Sequence, residues 1–435
     1  MDTLRFDLNQ AGRKFKLLNA TNGGPWHKRH VYDQVRSNFE DYKAARIPYA
    51  RNHDSAVIGI YGGPYSHDVT CIFPNFDADP TDPASYDFAC TDEAILTCLD
   101  AGTETFFRLG QTIEHQIKKH GTLPPKDFRK WAVICEHIIR HYNEGWADGL
   151  HLNIRYWEIW NEPDLDEDDS PNKRTWGGTR AQFFELYEIA SKHLKACFPH
   201  LKIGGPALAG WEEWAEEFLC EMQKRQAPLD FFSWHIYCVE PQAMMDKSVR
   251  IRAMLDKYGF ANAESHCNEW NYVKGWTEEF VYTIKQIHGI RGAMFTLSCI
   301  CAAQNNPIDM LMYYDTRPSP FCGAFDFYTY EKLKGYYPLY WYGMFYDMEK
   351  EIPVTEGAEE IFTLCGVDQK GKTLSVIAHY TDGEAEAKTL SVDFGRKGKY
   401  EIYLLDEDHD GELIATTEEL TFELKNLSAV LIKEI

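Results

Sequence analysis

The chain has 435 residues, 44% of them hydrophobic, and its 45 basic and 67 acidic side chains leave a formal net charge of −22. That length suffices for one large core and a small second domain, while the negative charge argues against nucleic acid or an anionic membrane surface as partner. The segment Met1-Asp2-Thr3-Leu4-Arg5-Phe6-Asp7 lacks the apolar core of a signal peptide, no run approaches the ~18 apolar residues of a membrane span, and the 12 cysteines follow neither zinc-type nor Cys-x-x-Cys spacing; a cytoplasmic protein with free thiols is the expectation.

Along the chain, short apolar runs alternate with amphipathic ones. Predicted strand 16–20 is followed by helix 33–45, strand 49–52 by helix 92–101, strand 105–109 by helix 126–143 and strand 155–160 by helix 179–197. Strand 202–205 then precedes helix 212–225, strand 231–237 helix 242–258, strand 264–269 helix 277–303, and strand 310–314 helix 336–348. Thr179 and Thr277 are placed as N-caps, and Gly102 as the glycine that closes a helix after Ala101.

Strict strand–helix alternation predicts an α/β fold with a parallel sheet and right-handed crossovers. Eight repeats close such a sheet into a (β/α)₈ TIM barrel, here over residues 15–351. An open doubly wound sheet would call for a glycine-rich phosphate turn after the first strand, which Asn22-Gly23-Gly24-Pro25 matches poorly. After Glu351 the texture changes to short alternating runs at 361–367, 373–380, 387–394, 399–405, 413–415 and 429–433, broken by Asp382-Gly383 and Asp410-Gly411. These predict a smaller C-terminal antiparallel β-sandwich over 352–435, completed by a strand from residues 1–14.

The run Tyr156-Trp157-Glu158-Ile159-Trp160-Asn161-Glu162-Pro163 reads as a buried strand that delivers a carboxylic acid to its end, where the proline stops the ladder. A second such segment, Ala263-Glu264-Ser265-His266-Cys267-Asn268-Glu269, carries its own terminal acid. Residues two apart on a strand share a face, so Glu158, Trp160 and Glu162 are expected to share one, with Glu162 at the C-terminal rim where barrel active sites lie. By the same rule Glu264 and Glu269 face opposite ways, Glu269 being nearer the rim. Two carboxyl groups at strand ends, with the Asn161 amide beside them for a hydroxyl-rich ligand, are the equipment for cleaving a glycosidic bond. Glu269 would attack the anomeric carbon. Glu162 would be acid and then base, kept neutral by the Glu269 charge and by apolar walls.

Trp160-Asn161-Glu162-Pro163 closing strand four, with a glutamate closing strand seven, resembles the clan of retaining glycosidases built on (β/α)₈ barrels. More narrowly the chain is similar to glycoside hydrolase family 39, which holds β-xylosidases and α-L-iduronidases. Tyr49-Ala50-Arg51-Asn52-His53, Tyr86-Asp87-Phe88, Gly204-Gly205-Pro206-Ala207, Glu269-Trp270-Asn271 and Gly335-Tyr336-Tyr337 support the likeness. The resemblance implies Glu162 as acid/base and Glu269 as nucleophile. It implies that Asn161 bonds the sugar 2-hydroxyl, that Arg51 supports the nucleophile, and that His53 touches sugar hydroxyls. Tyr237 would orient Glu269, and His235 would bond the sugar or Glu162.

There are two departures from the family pattern. Arg108 stands where xylosidases of this type tend to place an acidic residue; it is expected to pair with Glu158, the other role open to it being to meet a uronate carboxylate. Strand eight ends Tyr313-Tyr314-Asp315 without the usual tryptophan, so the sugar-stacking surface is sought in Tyr314, Trp26 or Trp276. The expected activity is exo-acting, retaining hydrolysis of short oligosaccharides or glycosides, β-D-xylosides first, with insertions 61–84 and 164–178 walling off one end of the cleft. Arabinosides, deoxy-hexosides, uronides and endo action are the alternatives, and an inactive carbohydrate-binding protein is the non-enzyme one. A metal-dependent hydrolase would call for a His-x-His pair on an early strand. None is present, so no metal and no cofactor are expected; a homo-oligomer stays open.

Overall fold

A computed structural model describes residues 1–10, 12–25, 37–58 and 62–435. Eight parallel strands close a barrel in chain order: Leu17–Asn22, Tyr49–Arg51, Glu104–Leu109, Tyr156–Ile159, Lys202–Leu208, Phe231–Cys238, Glu264–Tyr272 and Met310–Tyr313. The eighth strand pairs back onto the first, with Met310 beside Leu17. Around them lie the helices Ala89–Asp100, Phe128–Glu144, Arg180–Cys197, Glu212–Arg225, Pro241–Lys257, Ile290–Ala303 and Tyr336–Met344.

The helices form where the sequence supplies ends and one apolar face. Thr179 and Gln182 make a reciprocal capping box at the start of Arg180–Cys197. Phe128–Glu144 begins on the Asp127 side chain, which accepts from the N–H groups of Arg129 and Lys130, and ends at Gly145 with φ 75°. Its buried residues Trp131, Ile134, Cys135, Ile138, Ile139 and Tyr142 recur at helical spacing.

The expected long helix over 277–303 is two helices, Phe280–His288 and Ile290–Ala303, and Glu279 rather than Thr277 precedes the first. The break falls at Gly289, which is extended (ψ −171°), and Gly292 permits it: a Cβ there would lie 2.6 Å from the carbonyl oxygen of Gln286, so glycine lets the second helix start against the last turn of the first. Of the expected helix 33–45, the described part is Phe39–Ala44, and its first residues lie outside the described ones.

Inside the barrel the N-terminal end is plugged by an apolar layer of Ala20, Tyr49, Phe106, Tyr156, Phe231, Met310 and Met312. Two residues further along the first, second, third, fourth and sixth strands, the inward positions are Asn22, Arg51, Arg108, Glu158 and Ser233, all buried. A polar layer therefore floors the C-terminal mouth.

Beyond the barrel lie two sheets. The larger runs in the order Lys350–Glu351, Ile361–Val367, Thr373–His379, Ser428–Glu434, Tyr400–Leu405, Asp410–Thr417, every pair antiparallel. The smaller runs Val354–Glu356, Asp2–Phe6, Lys388–Asp393, Thr421–Leu424, and its Asp2–Phe6 strand pairs parallel with Lys388–Asp393, an exception to the antiparallel expectation. Leu4, Phe6, Ile377, Leu390, Ile402, Val430 and Ile432 form the core between them. The opposite face of the larger sheet, through Leu364, Leu374, Val376 and Leu431, joins the core that surrounds the barrel. Polar ties reinforce this seam: Asp382 accepts from Arg291 Nη1 through its carbonyl at 2.6 Å and from the Tyr272 hydroxyl through Oδ1 at 2.6 Å. No helix among the described residues is long and apolar enough to cross a membrane.

Candidate active site

The fourth strand carries Glu158 inward, then changes phase. Trp160 and Glu162 have φ 73° and 46°, in the left-handed region that non-glycine residues occupy at a cost of ~1–3 kcal/mol each. The shared face expected for Glu158, Trp160 and Glu162 therefore breaks at Trp160. Its indole turns outward, packs against Trp131 and Trp176, and donates to the Thr175 carbonyl at 2.8 Å. The Trp160 and Glu162 amides donate to the carbonyls of Leu109 and Ala207, at 2.7 and 2.8 Å, from the strands on either side. This turn places Asn161 and Glu162 over the mouth.

The seventh strand reaches the same place by a different irregularity. Its register against both neighbours shifts between Cys267 and Trp270. Glu264 bonds the inward-facing Tyr156 hydroxyl at 3.0 Å and His266 at 3.0 Å, so it lies on the inner side. Asn268 also points in, donating to Glu158 at 2.5 Å, and Glu269, the next residue, does so too. The parity rule placed Glu264 and Glu269 on opposite faces; the bulge, which lets two successive residues face one way, corrects that.

Arg51 joins the two strands. Its Nη1 donates to Glu269 Oε1 at 2.7 Å and to Asn22 Oδ1 at 3.1 Å, its Nε to Glu158 Oε2 at 2.7 Å, and its Nη2 to Asn161 Oδ1 at 2.5 Å. Glu158 also accepts from Ser233 at 2.6 Å. Arg51 and Glu158 are fully buried, a setting in which removal of one partner costs ~3–5 kcal/mol. Arg108 does not pair with Glu158 as expected. Arg51 has taken that carboxylate, and Arg108 Nη2 donates to Asp68 Oδ1 at 2.8 Å.

His235 stands between the two acids: Nδ1 is hydrogen-bonded to Glu162 Oε1 at 2.8 Å and lies 3.5 Å from Glu269 Oε2. The Tyr237 hydroxyl donates to Glu269 Oε2 at 2.9 Å. One ligand-type atom each of Glu162, His235 and Glu269 lies within 4.8 Å of the other two. His53 Nε2 is 3.3 Å from Asp54 Oδ1 and 3.6 Å from Glu269 Oε1. His53 Nδ1 and His235 Nε2 are buried and meet no hydrogen-bond partner among the described residues.

Among the described residues Tyr314 makes no hydrogen bond to either acid; its hydroxyl donates to Asp54 Oδ2 at 2.9 Å and its ring lies 6.4 Å from that of Tyr237. Trp276 is 56% exposed, edge-on to Tyr237 at 5.0 Å and beside Phe321 at 5.8 Å, an aromatic wall at the rim. Trp26 lies outside the described residues. Sequence reasoning missed Asp54, Arg317 and Asp164. Arg317 donates to the Asp54 carbonyl and to the Asp315 carboxylate, fixing the strand-eight end against strand two. The one signal available for these was position, since each follows a barrel strand by a few residues.

Burial sets the protonation states. It pushes Glu162 up to about 8, helped by the Asp164 charge and opposed by Arg51. Burial also raises Glu269, the neighbouring Glu162 adds to the rise, and the Arg51 guanidinium opposes it. His235 is pushed down to about 4, chiefly by burial, so its imidazole is neutral near neutral pH. Asp164 is itself buried and accepts from the N–H groups of Ala209, Gly210 and Trp211 at 2.8, 3.1 and 3.2 Å.

A reaction needing protonated Glu162 is lost as pH rises through its pKa. Replacing Asp164 by asparagine removes the charge that disfavours ionised Glu162. The alkaline limb of the kcat/KM profile is then expected to move to lower pH, and an unmoved limb would contradict the coupling.

Glu162, His235 and Glu269 offer two oxygens and a nitrogen that could hold a divalent cation. The Arg51 guanidinium already supplies positive charge at Glu269 Oε1.

The family model for glycosyl hydrolases family 39 matches residues 51–279, more than half of the chain. This chain belongs to that family. The family 39 chain is 27% identical over 232 residues to a β-xylosidase of Geobacillus stearothermophilus, a match covering 46% of this chain and 44% of that protein. It is 29% identical over 189 residues to a β-xylosidase of Caldicellulosiruptor saccharolyticus, covering 41% and 36%. The matches thus span less than half the length of either relative. Among solved structures, a glucosidase from Croceicoccus marinus superposes with a TM-score of 0.81 at 21% identity, covering 100% of this chain and 98% of that one. A monomeric β-xylosidase from Caulobacter crescentus gives 0.71 at 15%, covering 100% and 99%. At such identities these two show a common fold.

Proposed function

We propose that the protein is a retaining exo-glycosidase that acts on short oligosaccharides or glycosides by double displacement, with β-D-xylosides as first substrates. The observation that carries this reading is the placement of the two acids: an oxygen of Glu162 and an oxygen of Glu269 approach within 4.8 Å with His235 beside both. Retaining enzymes hold their carboxyl groups ~5–5.5 Å apart, whereas inverting enzymes leave ~6.5–9.5 Å for a water. Glu269, bonded by Arg51 and Tyr237, attacks the anomeric carbon as a carboxylate and holds the sugar as an ester. Glu162, neutral through burial, gives its proton to the departing oxygen. Once the ester has formed, Glu269 no longer places a carboxylate beside Glu162. Glu162 then becomes more acidic and takes a proton from the incoming water.

Asn161, His53 and His235 contact the hydroxyls of the sugar, and Tyr314 and Trp276 stack along it or its aglycone. The xyloside preference is supported by the two β-xylosidase relatives. The glucosidase with the same fold adds β-glucosides to the compounds worth testing. The 12 free cysteines support a reducing compartment, hence imported oligosaccharides as substrates. The test is a panel of nitrophenyl glycosides, with the anomer first released followed by NMR. A β-xyloside cleaved fastest, with the β-anomer appearing before mutarotation, is the expected result. Initial release of the α-anomer, or internal fragments as the main products from xylan, would refute it.

A further inference from the structure

Outside the barrel, helices Phe128–Glu144 and Arg180–Cys197 pack side by side, and three metal-type ligands meet between them. His193 and Cys197 are four residues apart and so share a helix face. His193 Nε2 lies 2.6 Å from Glu136 Oε2 and 3.9 Å from Cys197 Sγ, and one ligand atom from each of the three residues is within 4.8 Å of the others. None is on the surface alone or sealed in the core, since all three are partly exposed. Glu136 is not free to swing away: Arg140, one turn further on, donates Nε to its Oε1 at 2.8 Å. Arg140 is in turn ion-paired to Glu144.

We propose that Glu136, His193 and Cys197 form a divalent-metal site of zinc type that clips these two helices together. Imidazole nitrogen, thiolate sulfur and carboxylate oxygen are the donors that zinc selects, with bonds of ~2.0–2.3 Å. Tetrahedral bonds of that length set donor–donor separations at about 3.3–3.7 Å. The present gaps of 2.6 and 3.9 Å fall on either side and the Glu136–Cys197 gap is within 4.8 Å, so side-chain shifts of about an ångström close the site. The fourth position is left to water.

Charge also balances. Binding replaces the thiol proton of Cys197, which is released to solvent, and the proton that His193 Nε2 donates to Glu136 is given up as the ring takes its Nδ1–H tautomer, so that one thiolate, one carboxylate and a neutral imidazole meet a doubly charged ion. The Arg140–Glu144 pair beside them is neutral. Glu136 Oε1 stays with Arg140, the kind of outer hydrogen bond that orients a ligating carboxylate.

The test is Co²⁺ titration of the full chain after treatment with a chelator. One equivalent is expected to give the near-ultraviolet absorption of a thiolate–cobalt bond, to be displaced by Zn²⁺, and to raise the melting temperature. Cys197→Ser and His193→Ala should each lose the band and the melting shift while cleaving aryl glycosides as the parent does. Glu136→Gln serves as a second variant if either fails to fold, and it should weaken Co²⁺ binding. The carboxylates and imidazole at the barrel mouth contain no sulfur, so Co²⁺ bound there gives no such band. A parent protein without the band, or a band that survives in folded Cys197→Ser, would overturn the proposal.

Discussion

Glu269→Ala is expected to lower kcat on an aryl glycoside by about 10⁴–10⁶-fold, the scale on which enzymes lose rate when a nucleophile is removed. The reason lies in what the side chain shares. Its oxygens take hydrogen bonds from Arg51 and Tyr237, which hold the carboxylate in place. Alanine leaves a gap on that face of the sugar while Glu162 remains able to protonate the leaving group. Added azide should enter this gap, restore turnover and give a glycosyl azide of inverted configuration. Rescue that yields the retained anomer, or no loss on substitution, would show that another group forms the bond.

Glu162→Ala should behave in the opposite way with respect to the leaving group. A dinitrophenolate departs without a proton, so formation of the glycosyl-enzyme is expected to stay near the parent rate. An alkyl or sugar aglycone should lose about 10²–10⁴-fold, the usual worth of a positioned acid. Hydrolysis of the intermediate also loses its base. The ester should therefore accumulate on good substrates and be visible as a burst, and azide should hasten its breakdown with retention. Equal losses for good and poor leaving groups would remove Glu162 from the acid role.

Much of this arrangement could be read from the chain because its signals were local. Alternating apolar and amphipathic runs specified eight βα repeats, and an aromatic strand stopping at Pro163 marked one acid at the rim. What parity could not reveal was phase. Trp160 should have pointed inward with Glu158, and Glu264 outward from Glu269, had both strands been regular. A left-handed residue in one case and a bulge in the other reset the alternation; no glycine marks either, and Pro163 announces where the fourth strand ends but not the change of phase at Trp160. Arg108 illustrates a second limit. Strand neighbours Arg108 and Glu158 sit side by side in register, but the partner of a buried charge is decided by competition among all inward groups. Arg51 reaches Glu158 first, and Arg108 turns to Asp68 from a loop far away in sequence. The split at Gly289 was hidden for a related reason: the close approach of the second helix to the Gln286 carbonyl, which Gly292 permits, is a contact in space that the spacing of apolar residues does not show.

The guanidinium of Arg51 reaches four side chains contributed by three other strands and the turn after one of them. Lysine, a single point charge, cannot reproduce that fork. The role of Arg51 as internal brace and its role beside Glu269 cannot be inherited separately. New sugar preferences in descendants of this protein would then arise through turnover of the loops around the opening, while the centre beneath them stays frozen.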